Sequence, residues 1–240
     1  MEWQDEGIVL AVRRHGETSA IVDLLTRSQG RHAGLVRGGM GKKWRGVLQP
    51  GSRMQAQWRA RLAEHLGSYT LEPIHAYYSD ILDDALALEA LNAICALAVV
   101  SLPEREPHPS VFDALAVFLN ALDDSHLWPG VMVRWELGLL QELGFRLDLS
   151  ACAATGTTEN LAYVSPRTGR AVSQEAAGPY KERLLPLPGF LIGQNGDDVP
   201  PIDIFNGMRL TGYFLDRWVL QPHGQKLPES RGRLMDRLGR

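Results

Sequence analysis

The first eighty residues alternate between short runs of apolar residues and polar turns, a pattern typical of β-strands. The clearest run is 54–62, where apolar side chains at even positions alternate with glutamine and arginine at odd positions. Such alternation predicts a strand with one buried face. Five short strands in about eighty residues favour a small closed barrel, of which the OB-fold is the common five-stranded form. The predicted strands are 7–12, 20–26, 32–37, 54–62 and 69–74.

After Ser79 the apolar period changes to that of a helix. Apolar residues recur at helical spacing over 81–102, and three prolines then end the helix. Further helices are predicted at 111–122, 131–143, 201–220 and 229–238, and a hairpin at 162–165 and 170–173. The prediction is therefore an α+β protein. It has an N-terminal OB-fold domain in residues 1–79 and a helical domain in residues 80–240, with a hairpin insertion at about 151–174.

Charge is strongly segregated along the chain. Residues 24–63 carry nine basic side chains and no acidic one, although the whole chain has a net charge of −3. This segregation favours a docking face for a polyanion, most simply nucleic acid. The alternative is a barrel whose solvent face merely happens to be rich in lysine and arginine.

The centre of this basic region is the glycine-rich segment 38–46, which we interpret as a mobile loop. Its lysines and arginine can neutralise phosphates, and Trp44 among them can stack on a base. The alternative is that Trp44 folds back onto the rim of the barrel. The predicted DNA-binding residues are Arg31, Arg37, Lys42, Lys43, Trp44, Arg45, Arg59 and Arg61.

No set of catalytic residues is evident. The glycine-rich segment lacks the hydroxyl residue that follows Gly-Lys in a phosphate-binding loop, and neither Gly-x-Ser-x-Gly nor His-Glu-x-x-His occurs. We therefore expect a protein that is not an enzyme and has no cofactor. Two cysteines, an acidic N-terminus and no apolar stretch long enough to span a bilayer favour a cytoplasmic protein without a membrane partner.

Three blocks of the sequence resemble a known family. The Glu-Thr-Ser of 17–19, the basic glycine-rich stretch and the Leu-Gln-Pro of 48–50 resemble the N-terminus of RecO, a family of bacterial recombination mediators. Residues 134–145 resemble its central Arg-aromatic-Glu-Leu helix, and residues 226–231 its C-terminal Lys-x-Leu-x-Ser-Arg stretch. The blocks follow the order of the family and span nearly the whole chain.

The resemblance implies a non-catalytic role in DNA repair and recombination. RecO-like proteins bind single- and double-stranded DNA, anneal complementary strands, and work with RecR. They help to load the recombinase RecA onto strands coated by single-stranded DNA-binding protein, which would place this chain at the nucleoid during repair.

The resemblance also implies contact with the acidic, phenylalanine-terminated tail of single-stranded DNA-binding protein. A hydrophobic pocket with a basic rim on the helical domain would suit such a tail. The candidate cations are Arg134, Lys226 and Arg231. For Arg134 the alternative is a solvated cation near the start of a helix.

The sequence departs from the family at one point. Many RecO-like proteins carry a four-cysteine zinc site between their helices, but here only Cys152 remains, with Thr155, Ser173 and Ala176 at the other expected positions. Structural zinc needs four donors, so we expect a zinc-less hairpin.

Two other functions stay open at this point. One is an RNA-binding or ribosome-associated OB-fold module, which would carry the same basic loop. The other is an adaptor whose basic face binds an acidic protein rather than nucleic acid.

Overall fold

A computed structural model describes residues 1–194 and 199–239, and its first five strands form a closed barrel. The barrel strands are β1 (Glu2–His15), β2 (Ser19–Thr26), β3 (Gly30–Val36), β4 (Ser52–Arg59) and β5 (Ser68–Ala76). They are joined in the order β1-β2-β3-β5-β4, with β3 and β5 parallel and the other neighbours antiparallel. A five-stranded closed barrel of this kind confirms the predicted OB-fold.

Strand β1 is longer than its sequence pattern predicts. Its first residues are mostly polar and so give no apolar signal in the sequence. They belong to the strand because two of them pair across the sheet with arginines of β4. Glu2 lies opposite Arg59 and bonds to it, and Glu6 pairs with Arg53. Residues 2–8 of β1 pair with β4 and residues 7–15 with β2, and a register shift between Val9 and Ala11 interrupts the β1–β2 pairing.

An aromatic cluster fills one part of the barrel. Trp58 is buried, stacks on Trp3 with ring centroids 5.8 Å apart, and lies 4.7 Å from the ring of His32. The Tyr69 hydroxyl donates to the backbone carbonyl of His32 at 3.0 Å. Burial lowers the pKa of His32, and the positive charge of Arg105 acts in the same direction.

Three helices belong to the same compact unit as the barrel, which comprises residues 1–123 and 228–234. They are α1 (Tyr77–Asp80), α2 (Ala85–Ser101) and α3 (Pro109–Asn120). Helix α2 begins later than predicted because Asp84 caps it, accepting from the N–H groups of Leu86 and Ala87. Cys95 of α2 is a buried hydrophobic residue, and burial raises the pKa of its thiol to about 12.

The second compact unit comprises residues 124–227 and the residues from Met235 onward. Its main helices are α4 (Trp128–Glu142) and α6 (Pro201–Phe214), which pack together and share a buried hydrogen bond between Thr211 and Glu136. The last helix, α7 (Glu229–Leu238), has residues in both units. The predicted domain boundary at residues 79–80 stays a prediction.

The predicted hairpin is present in this second unit, with one strand more than expected. Strands β6 (Leu161–Val164) and β7 (Ala171–Ser173) are antiparallel, and β8 (Leu185–Pro186) pairs with the other edge of β6. The short helix α5 (Gln174–Ala177) follows β7 directly. Strand β8 has only two residues and is therefore too short to show the alternation of apolar and polar residues that predicts a strand.

The segment that joins α2 to α3 lies across the start of β3. The backbone N–H of Arg105 donates to the carbonyl of Arg31 at 2.7 Å, and Arg31 and Glu104 form a parallel β-bridge. Gly30 has φ +69°, and a Cβ at this position would lie only 2.0 Å from the carbonyl oxygen of Glu106. Close approach of the linker therefore requires glycine at residue 30.

Gly30→Ala is therefore expected to destabilise the protein strongly. Gly16→Ala is the matched control, because Gly16 has φ +60° but no atom within 4 Å of its Cβ position. We expect Gly16→Ala to lower the free energy of unfolding by about 1 kcal/mol and Gly30→Ala by about 3 kcal/mol or more. Urea unfolding followed by circular dichroism measures both, and equal effects would contradict the close approach of Glu106.

Candidate nucleic-acid interface

The segment between β3 and β4, expected to be a mobile loop, is a series of hydrogen-bonded turns. The N–H of Met40 donates to the carbonyl of Thr18 at 2.9 Å, which joins this segment to the β1–β2 turn. The carbonyl of Trp44 accepts from the N–H groups of Val47 and Leu48. The basic side chains of the segment are therefore displayed by a backbone with defined contacts.

Five of the predicted DNA-binding cations are exposed and available. Within residues 1–194 and 199–239, no carboxylate oxygen lies within 4 Å of their charged groups. Their charges are not neutralised by the described part of the protein, which is what phosphate binding needs. These cations are Arg37, Lys42, Lys43, Arg45 and Arg61.

Two predicted cations, Arg31 and Arg59, already have carboxylate partners. The side chain of Arg31 is only 14% exposed, and it pairs with Asp23 and Glu104. Arg59 donates to both carboxylate oxygens of Glu2 at 2.9 and 3.1 Å, and this hydrogen bonding lowers the pKa of Glu2. Both arginines thus have structural partners, and their contact with DNA stays a prediction.

Trp44 is half-buried and packs against the buried cluster of the barrel, in agreement with the alternative interpretation. The ammonium of Lys43 lies 5.2 Å from the centroid of the indole ring, within the range of a cation–π contact. Part of the indole ring packs against the barrel, so only the exposed part of the ring is available to a base.

Arg14, near the end of β1, is a further exposed cation that is not among the predicted DNA-binding residues. Arg14 is exposed and donates to the carbonyls of Gly16 and Glu17, next to the point where Met40 bonds to Thr18. In the sequence, Arg14 belongs to the Arg-Arg pair at 13–14, which lies outside the region 24–63 that has no acidic residue. Only the pairing of β1 with β2 brings it to the same end of the barrel as Arg37.

The cations predicted for partner binding have different environments. Arg134 is exposed on α4, and its guanidinium donates to the Phe190 carbonyl at 3.3 Å and lies 5.3 Å from the centroid of that ring. Lys226 is exposed as well. Arg231 is buried, with 4% of its surface exposed, so its side chain is not offered to a peptide on the surface.

A cavity of about 650 Å³ lies in the second compact unit, beyond Arg134 along α4. It is lined by Leu137 and Gln141 of α4, by Leu191 and Ile192 after Phe190, and by the cation Arg146. Its volume is within the usual range for ligand sites of about 300–1,000 Å³. The second compact unit thus contains a cavity with a mixed lining of apolar and polar side chains, among them the charged Arg146 and Asp148.

Comparison with known proteins shows the family to which the chain belongs. The family model described as "Recombination protein O N terminal" matches residues 1–77, and the one described as "Recombination protein O C terminal" matches residues 82–227. The chain belongs to the RecO family. Curated relatives named "DNA repair protein RecO" match over almost their whole length, so DNA repair is the process in which the family is placed.

Three of these RecO relatives show the extent of the match. The chain is 48% identical to the protein of Ruegeria sp. over 241 residues, which cover 100% of this chain and 99% of the relative. It is 51% identical to the protein of Rhodospirillum centenum, covering 99% and 94%, and 51% identical to that of Rhodospirillum rubrum, covering 100% and 97%. In the described part of this RecO-family chain, no helix is long and apolar enough to cross a membrane.

The region of the hairpin that was expected to lack zinc contains one buried thiol, that of Cys152. Cys152 is 1% exposed, and its sulfur accepts the N–H of Ser173 at 3.3 Å. Burial raises the pKa of this thiol, but hydrogen bonds from Thr155 and from the N–H groups of Ser173, Ala154 and Thr155 outweigh burial and lower it to about 6. Thr155 and Ser173, at two of the expected ligand positions, contact the sulfur directly.

We expect the purified protein to contain no stoichiometric zinc and its melting temperature to be unchanged by a chelator. Among residues 1–194 and 199–239, no group of three or more histidine, cysteine or acidic residues could hold a metal ion, and structural zinc needs four donors. Elemental analysis and thermal unfolding with and without EDTA test this. One zinc per chain would show that other residues complete a site.

Proposed function

We propose that this RecO-family protein is a non-catalytic mediator of recombination that binds DNA through the exposed cations of its barrel. The observation that carries the proposal is the set of five exposed cations without a carboxylate partner in the described residues, on an OB-fold barrel. Contacts of lysine and arginine with phosphate give affinity without choice of sequence. Binding of both single- and double-stranded DNA follows from such contacts.

Strand annealing is the next part of the proposal. Two complementary strands repel each other because each carries one phosphate charge per nucleotide, and a cationic surface lowers this repulsion. The segment 37–45 and Arg14, near the end of β1, provide cations at one end of the barrel. We propose that this surface brings strands together, at the nucleoid in the cytoplasm, while RecR and the loading of RecA complete the reaction.

The second proposed partner is the acidic, phenylalanine-terminated tail of single-stranded DNA-binding protein. Support comes from Arg134, exposed beside Phe190, and from the neighbouring cavity with its leucine, isoleucine and arginine lining. A terminal phenylalanine would gain free energy by burial in the cavity, and Arg134 or Arg146 would meet the terminal carboxylate. Lys226 is a further exposed cation of the same unit.

The variant Lys42→Ala/Lys43→Ala/Arg45→Ala is expected to weaken binding to all DNA sequences alike. The slope of log K against log salt for single-stranded DNA should become shallower by about 0.7 for each phosphate that the variant no longer neutralises. Fluorescence anisotropy with a labelled oligonucleotide at several salt concentrations measures this slope.

The matched control is Arg13→Ala/Arg27→Ala/Arg53→Ala. It removes the same charge from the same barrel, but each of these arginines is already paired with a carboxylate, of Asp23, Asp113 or Glu6. The control variant should keep most of the wild-type slope. An unchanged slope in the first variant, or an equal change in both, would contradict the proposed surface, and stronger binding to RNA would favour the RNA-binding alternative.

Arg134→Ala is expected to weaken binding of a peptide that copies the acidic tail by about 1.5–3 kcal/mol, the range for a hydrogen bond to a charged group. Removing the terminal phenylalanine of the peptide should cost more, because it removes the apolar burial. Isothermal titration calorimetry on the full chain measures both. Arg209→Ala, an exposed arginine on α6, is the control, and an equal effect in that variant would point to delocalised attraction.

A further inference from the structure

A small cavity lies in the first compact unit, where β5 is followed by α1. Its volume is about 180 Å³, and its apolar lining comes from Tyr77, Ile81, Leu119 and Leu122. This volume is below the range of about 300–1,000 Å³ that is usual for small-molecule sites, although an apolar cavity of about 150 Å³ can hold a benzene molecule. The cavity therefore has a suitable size for one apolar side chain of a partner.

Apolar side chains next to the cavity are turned towards solvent. Ile74, near the end of β5, and Leu82, in the turn after α1, are each at least half exposed. The same is true of Val117 on α3, which lies on the same face of the helix as Asn120 in the cavity lining. Exposed apolar side chains from three elements beside one cavity are typical of a surface that binds another protein.

The rim of the cavity is acidic. Asp80 and Asp123 line it, and Asp83 is exposed in the turn after α1. In the described part of the chain, no lysine or arginine pairs with these three carboxylates, and Asp80 contacts only the imidazole of His75, at 2.6 Å. Such a rim repels phosphates, so the surface suits a positively charged protein segment.

We propose that this acidic cavity, meaning the cavity with its rim of Asp80 and Asp123, binds the basic segment 37–45 of a second copy of the chain. The segment has the complementary chemistry, because Met40 is exposed and cations lie on both sides of it in the sequence. Met40 enters the cavity, since its unbranched side chain adapts to an irregular space. The flanking cations pair with the carboxylates of the rim.

Within one molecule these two surfaces do not meet. Among the residues that the structure describes, no carboxylate oxygen lies within 4 Å of the charged groups of segment 37–45. The segment is held in place because the N–H of Met40 bonds to the Thr18 carbonyl and Trp44 packs against the barrel. A second molecule is therefore needed to bring the cations to the acidic cavity, and the chain itself carries both complementary surfaces.

The two surfaces are different parts of the chain, so the contact is head-to-tail. Each bound molecule keeps one free surface, and association continues unless a ring closes. The cations of segment 37–45 are also proposed to bind DNA, so DNA and the second copy compete for them. This competition rests on the proposed function, whereas the self-association does not.

Sedimentation velocity of the full chain tests the inference. At about 0.1 M salt the wild type should form species larger than a monomer. At about 1 M salt the association should weaken, because the Debye length falls from about 10 to about 3 Å. A single-stranded oligonucleotide added at the lower salt concentration should dissociate the oligomers, and DNA bound to intact oligomers would overturn the assignment of segment 37–45.

The acidic variant, Asp80→Asn/Asp123→Asn, should weaken self-association at least about tenfold, the effect of removing a hydrogen bond between charged groups. Its affinity for DNA should stay at the wild-type value, because no cation is removed. The matched control is Glu159→Gln/Glu182→Gln, which removes two exposed carboxylates of the second compact unit. The control should associate like the wild type, and an equal loss in both variants would contradict a local site.

The basic variant, Lys42→Ala/Lys43→Ala/Arg45→Ala, removes the other surface and should weaken self-association to a similar extent. Mixing it with the acidic variant identifies a head-to-tail contact. At a concentration where the wild type associates, each variant alone should be monomeric. The mixture retains one intact surface of each kind, so it should form a one-to-one dimer that does not grow.

Several results would overturn the inference. One is a wild type that stays monomeric at the lower salt concentration, and another is a mixture of the two variants that forms no dimer. Wild-type association in Met40→Ser, which keeps every charge, would remove Met40 as the anchor even if the charge variants fail to fold. A wild type that self-associates but binds no DNA would instead contradict the proposed function.

Discussion

The ion pair between Asp23 and Arg31 is the interaction on which much of the first compact unit depends. Asp23 lies on β2 with only 3% of its surface exposed, and a carboxylate buried to that extent must be paired. Arg31 provides one partner, with 3.4 Å between Nη1 and Oδ1, and Arg13 another at 3.3 Å. The same Arg31 side chain also donates to the carbonyl of Leu102 at 2.9 Å and pairs with Glu104.

This arrangement links a buried ion pair of the barrel to the position of a loop on its surface. Because Arg31 holds residues 102–104, the next residue, Arg105, is fixed where its guanidinium reaches the β4–β5 loop. A charge that looks like part of a DNA-binding face is thus a structural element. The exposed cations of region 24–63 that no carboxylate of the described chain neutralises are a smaller and better-defined set than the total charge suggests.

The sequence predicts the strands and most helices because each carries its own periodic signal. The alternation of 54–62 and the helical spacing of 81–102 are local patterns, and both elements are found within a few residues of the predicted bounds. The pairing of charges is not local. Glu2 neutralises Arg59 and Glu104 bonds to Arg31 across large sequence separations, so composition indicates a basic region but not which of its members are free. No local sequence pattern indicates the contacts of Arg105, because they depend on where β3 lies in the fold.

The linker between α2 and α3 also has a consequence for association between molecules. Within residues 1–194 and 199–239, β3 pairs with β5 at one position, Leu35 with Ser68, and residues 104–105 occupy part of the same edge through the bridge to Arg31. An uncovered strand edge is a template for pairing with another chain. A barrel fragment that ended at residue 79 would lack this cover, and its open β3 edge would favour edge-to-edge aggregation over a stable monomer.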